Sequence, residues 1–148
     1  GAKPDQIGEW KKNFNQRLET IAAKVRDSFP GGSHIFVADI YDPTDGDSDV
    51  ANAGLPSWPQ GSAVLNSWND VLRKFTERHD DVTLIEMRAE FLGHGIHCIQ
   101  FWHHAYRPDD PSYWYWDNLE DPNDRGYDAI RRLFLNEMAK VLPGRLTE

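Results

Sequence analysis

His34-Ile35-Phe36-Val37-Ala38-Asp39-Ile40-Tyr41 and, further along, Val82-Thr83-Leu84-Ile85-Glu86-Met87 decide how this chain folds. The first is a short, nearly continuous apolar run, the pattern of a strand buried on both faces in a parallel sheet. The second is a strand of the same kind. Between them Val64, Leu65, Trp68, Val71, Leu72 and Phe75 recur at steps of three and four, which predicts a helix over 62–78 with one apolar face. Strand, helix and strand in that order make a βαβ unit, so the two strands should lie parallel and adjacent. The fold class is α/β.

Outward from this unit, the flanks are helical. Ile7, Trp10, Phe14, Leu18, Ile21, Val25 and Phe29 fall on one face of a first helix, and Pro30-Gly31-Gly32 ends it. Tyr127, Ile130, Leu133, Phe134, Met138, Val141 and Leu142 mark a last helix from Asp124, with a stop predicted at Pro143-Gly144. Two long irregular segments remain. Residues 42–60 are rich in Asp, Pro and Gly, and residues 93–123 are aromatic and studded with histidine; loops of such length are often functional. Three helices against two strands leave a parallel sheet with both edges unpaired, whereas parallel sheets are normally larger and covered. Residues 1–148 therefore read as a single or partial domain whose sheet is completed by an upstream segment or another chain.

Composition bounds the function. Hydrophobic residues make up 39% and charged residues 27%, which is globular rather than disordered. The net charge is −8 and the basic residues are scattered, the pairs Lys11-Lys12 and Arg131-Arg132 lying in helical segments, so no nucleic-acid partner is expected. Cys98 is the lone cysteine, which excludes an internal disulfide and leaves the compartment open. No apolar run approaches the length of a membrane span.

Asp121-Pro122-Asn123-Asp124-Arg125-Gly126-Tyr127 opens the last helix, and it resembles the final block of the SGNH/GDSL ester hydrolases, where His-Pro-Asn-x-x-Gly-Tyr/His leads into the C-terminal helix. Phe36-Val37-Ala38-Asp39-Ile40-Tyr41-Asp42-Pro43-Thr44-Asp45-Gly46 is similar to a stretch of one bacterial branch of that family. The order of elements matches the family's second half, so the resemblance covers nearly the whole chain. It implies a flavodoxin-like three-layer sandwich with a parallel sheet, of which this chain is the C-terminal part. It also implies a serine-type ester hydrolase acting on a small-molecule ester, with no cofactor. In the family a serine attacks the carbonyl, a glycine amide and an asparagine bind the oxyanion, and a histidine before the last helix takes the serine's proton.

Two positions depart from the family pattern. Asp121 stands where the histidine belongs and Asn118 three residues before it, and no nucleophile block precedes Ile7. The base is therefore sought in His94-Gly95-Ile96-His97, after the second strand, where α/β folds build active sites. His97 or His94 would supply the imidazole, with Asp117 or Asp121 orienting it. Trp102, Tyr113, Trp114 and Trp116 are candidates to line a pocket for an acyl chain or sugar face. The rival reading is a non-catalytic ligand- or carbohydrate-binding module on the same fold.

Other patterns carry less. Gly46-Asp47-Ser48 spells the family's nucleophile tripeptide, but Ser48 lies well past the strand in a loop of aspartates and reads as a turn. Asp45, Asp47 and Asp49 alternate like the start of a calcium loop, yet Val50 replaces the glycine such a loop needs. His94, His97, Cys98, His103 and His104 are dense, but the His94-x-x-His97 spacing is unlike the helical zinc motif. No metal is expected.

Overall fold

The computed structural model describes residues 4–145 of the chain, with side chains from 6 to 142. The elements run α1 (Pro4–Ser28), β1 (Ile35–Ala38), a 3₁₀ turn (Val50–Ala53), α2 (Gly61–Thr76), β2 (Val82–Ile85), α3 (Met87–Phe91) and α4 (Asp124–Arg145). β1 and β2 pair in parallel, with Ile35 opposite Val82 and Ala38 opposite Ile85. The βαβ unit is thus present, and the architecture is helices around a small parallel sheet. Both strands are shorter than the apolar runs that predicted them, because Asp39 and Glu86 end the pairing. Met87 begins α3, a short helix with too few residues to show a period. α4 continues through Pro143-Gly144 to Arg145, since a missing amide in a final turn removes a single bond.

Alternation along the strands sorts the sheet's faces. Ile35, Val37 and Val82 pack with Ala22 and Leu18 of α1 and Phe75 of α2, so both helices cover that face. The Arg26 guanidinium grips Asp81 with two 2.6 Å contacts and ties α1 to the start of β2. All four residues of β1 stay half-buried, where the apolar run predicted a fully buried strand. The reason is the narrow sheet: among the described residues it has two strands, so β1 has a neighbour on one side only. The same narrowness leaves Trp10, Ile21 and Phe29 of α1 exposed, although they share the helix's apolar stripe.

A second core joins α3, the long loop and α4. Phe91, Trp114, Tyr115 and Ala129 are buried together, with Tyr41 and Met87 against them. Asn123 caps α4: its Oδ1 accepts the amides of Arg125 (3.0 Å) and Gly126 (3.2 Å), and its Nδ2 donates to the Tyr113 carbonyl at 2.8 Å. A side chain at Gly126 would meet the Trp114 carbonyl oxygen at 2.5 Å. The segment from Pro122 to Gly126 is therefore a device for docking the last helix onto the loop before it. Among the described residues, no helix is long and apolar enough to cross a membrane.

Candidate functional site

The segments that follow β1 and β2 leave the sheet at the same end, as parallel strands require, and there they meet. The first is pinned at its root. Asn69 of α2 bonds both the amide and the carbonyl of Ile40 at 2.8 Å, and Asp39 accepts the Arg88 amide at 2.7 Å. Burial raises the Asp39 pKa, and the Arg88 amide opposes this. Asp42 then folds the chain back by accepting the Thr44 amide (3.0 Å) and hydroxyl (2.6 Å).

Asp45 joins the two segments. It is fully buried and sits at φ 53°, a left-handed conformation that Asp tolerates better than most residues. Its Oδ1 accepts the amides of Gly93 (2.8 Å) and Gly95 (3.0 Å), and its Oδ2 that of His97 (3.0 Å). The Pro43 carbonyl takes the intervening Ile96 amide at 2.9 Å. The approach is so close that a Cβ at Gly95 would lie 2.2 Å from the Pro43 oxygen.

This clamp presents His97 to the acidic turn. His97 Nε2 lies 2.9 Å from Asp49 Oδ2, without the alignment a hydrogen bond requires, and among the described residues neither ring nitrogen completes a hydrogen bond. Burial pulls the His97 pKa down, but the adjacent Asp49, with Gln100 near the ring and the charge of Asp45, outweighs it and holds the pKa above its ordinary value. Burial would likewise raise Asp49; its contacts with His97 and with Asn52, whose amide lies 2.6 Å away, keep its carboxyl below the usual range. The His97 ring stacks on His103 at 4.4 Å. His103 Nδ1 accepts the Ala105 amide (3.1 Å), which leaves its proton on Nε2 to be donated to Asp47 (3.1 Å). His104 Nδ1 lies 3.7 Å from the other Asp47 oxygen.

The other candidates from the sequence fall elsewhere. His94 is buried, its Nδ1–H donates to the Ser112 carbonyl at 2.9 Å, and its ring stacks 3.5 Å from Trp114; burial, opposed by the Ser112 bond, lowers its pKa. Asp121 accepts from Asn118 at 2.8 Å, and Asp117 is exposed; among the described ion pairs neither meets a histidine. Trp114 belongs to the second core, Tyr113 packs beside it, and Trp102 and Trp116 are exposed. The apolar cavity lies instead against α2. It measures about 270 Å³ and is walled by Tyr41, Val50, Trp58, Val64, Leu65 and Trp68, with Ser48 and Ser62 at its polar side. Asp49 stands between two of its wall residues in the chain. Ser48 Oγ accepts the Ser62 amide at 2.5 Å and donates to the Ser62 hydroxyl, so it caps α2 where Gln60 does not. Burial pushes the Cys98 thiol up.

The sequence paired His97 with acids near the last helix, whereas the fold pairs it with Asp49. The signal that could have found Asp49 was the βαβ order itself, which sends both loops to one end of the sheet. Comparison with protein-family models, with curated proteins and with solved structures found no match to the chain in any of the three.

Proposed function

We propose that this chain is part of a serine-type ester hydrolase on a flavodoxin-like, three-layer scaffold. One observation carries the reading: a buried histidine held against Asp49, a carboxylate whose chain neighbours Ser48 and Val50 line an apolar cavity, at the carboxyl end of parallel strands. In this reading His97 is the base. Nε2 lies 2.9 Å from Asp49, so Nδ1, buried and without a hydrogen-bond partner among the described residues, is the nitrogen that would take the nucleophile's proton and return it to the leaving alkoxide. Asp49, 2.9 Å from Nε2, stabilises the imidazolium by its charge. The cavity of Tyr41, Trp58 and Trp68 receives the acyl group of a small ester. The nucleophilic serine comes from a segment that also adds strands to the open sheet edges; Ser48, engaged in capping α2, is not that residue.

The test is hydrolysis of p-nitrophenyl acyl esters by the complete protein, with fluorophosphonate labelling alongside. His97→Ala should lower kcat by at least ~10²-fold while the fold is kept, and Ser48→Ala should leave turnover near normal. Turnover retained in His97→Ala defeats the assignment. A complete protein that neither hydrolyses esters nor takes the label is the binding module instead.

A further inference from the structure

We propose that Asp47, Asp49 and His97 form a divalent transition-metal site suited to Zn²⁺. Ligating atoms of the three residues lie within 4.8 Å of one another. His97 is the observation that points to a ligand. It is only 5% exposed, and among the described residues neither of its ring nitrogens completes a hydrogen bond and Asp49 Oδ1 is buried without a partner as well. Buried polar atoms in native proteins are nearly always satisfied, and orphans gathered in one place mark a missing water or ion.

The geometry favours the ion. His97 Nε2 and Asp49 Oδ2 stand 2.9 Å apart yet are misaligned for a hydrogen bond. Two ligands bonded to one Zn²⁺ at about 2.0–2.2 Å sit roughly 3 Å or slightly more from each other, with no need to point at one another. The carboxylates are braced as metal ligands usually are: His103 donates to Asp47 at 3.1 Å and Asn52 to Asp49 at 2.6 Å. His103 is itself no ligand, because its Nδ1 accepts the Ala105 amide and its Nε2 carries the proton. One imidazole and two carboxylates match a borderline cation and balance its charge, whereas Ca²⁺ and Mg²⁺ prefer oxygen alone. Asp47 is partly exposed and opens the path from solvent.

The proposal stands without the hydrolase reading, although it uses the same ring. A metal on Nε2 forces the proton onto Nδ1, so an occupied site has no lone pair left for a base.

The experiment titrates the full chain with Co²⁺, followed by its visible absorption, and with Zn²⁺ by calorimetry. One saturable site per chain is expected. Asp47→Asn, on a partly exposed side chain, and Asp49→Asn should each weaken binding at least about tenfold, and His79→Gln should not. Circular dichroism on each variant confirms that the fold is kept. A chain with no saturable site, or Asp47→Asn and Asp49→Asn variants that both bind as tightly as the unchanged protein, overturns the proposal. Binding needs no ester turnover, so failure here and failure of the hydrolase reading are separate results.

Discussion

The face where α1 and α2 meet the sheet and the end where the two loops meet are built by different physics. The first is held by apolar burial: Ala22, Phe75 and Val82 exclude water and make no directional demands. The second is held by polar atoms with fixed geometry, three amides converging on the buried Asp45 carboxyl. Apolar packing degrades gradually as atoms are removed. A buried polar joint fails at once, because every amide it satisfied becomes an orphan. The candidate site belongs to the second kind, and so its shape depends on a few bonds.

The largest effect should come from the apolar side. Phe75→Ala is expected to cost about 3–5 kcal/mol in chemical denaturation, as large-to-small changes at fully buried aromatic positions do. A loss under about 1 kcal/mol would mean that the two-stranded sheet does not lean on α2. Asp45→Asn is the matching cut on the polar side. It exchanges an acceptor for a donor facing the backbone amides, and about 2–4 kcal/mol should be lost. Hydrogen exchange at Gly93, Gly95 and His97 should quicken more than at β2; uniform quickening would erase the distinction between the regions.

These two residues also show what the sequence could and could not disclose. Phe75 announces itself through its spacing from Trp68, Val71 and Leu72, because helix periodicity is written in consecutive residues. The three long helices were legible on that basis, and the strand pair from its two continuous apolar runs. Asp45 looks no different from Asp47 or Asp49 in the same run, yet it alone of the three is fully buried. Which aspartate turns inward is set by φ at one residue and by glycines some fifty positions away, and neither has a period. His97 was visible as a candidate, but its partner was not. Trp114 was legible as an aromatic, and the structure buries it in the second core, since core and pocket ask for the same side chains.

His94 sharpens the comparison through pH. Burial holds its pKa below the ordinary 6.5, so the unfolded chain takes up a proton that the folded chain refuses. Stability should therefore fall as pH drops from neutrality through the unfolded value, with a slope of at most about 1.4 kcal/mol per pH unit from this group, and level off below its folded pKa. His94→Gln should flatten the profile over that window. An unchanged profile would remove His94 from the account. The smallest effect is expected at Ser48. Its alanine variant should lose about 1 kcal/mol with the α2 cap. Its glycine variant should lose less, because glycine relaxes the left-handed backbone, φ 59°, at that position. Equal losses in the two would mean that backbone conformation at Ser48 stores no energy.

The Asp45 joint also sets an order of events in time. The bond from the His97 amide to Asp45 closes a loop of 52 residues. Closing so long a loop loses chain entropy that the bond alone does not recover, so it follows the pairing of β1 with β2, which draws the two segments together. The His97–Asp49 contact is thus among the last parts of the molecule to assemble. In stopped-flow refolding, a probe beside His97 should lag behind the helical signal, and a nascent chain would gain its candidate chemistry only after its frame is complete.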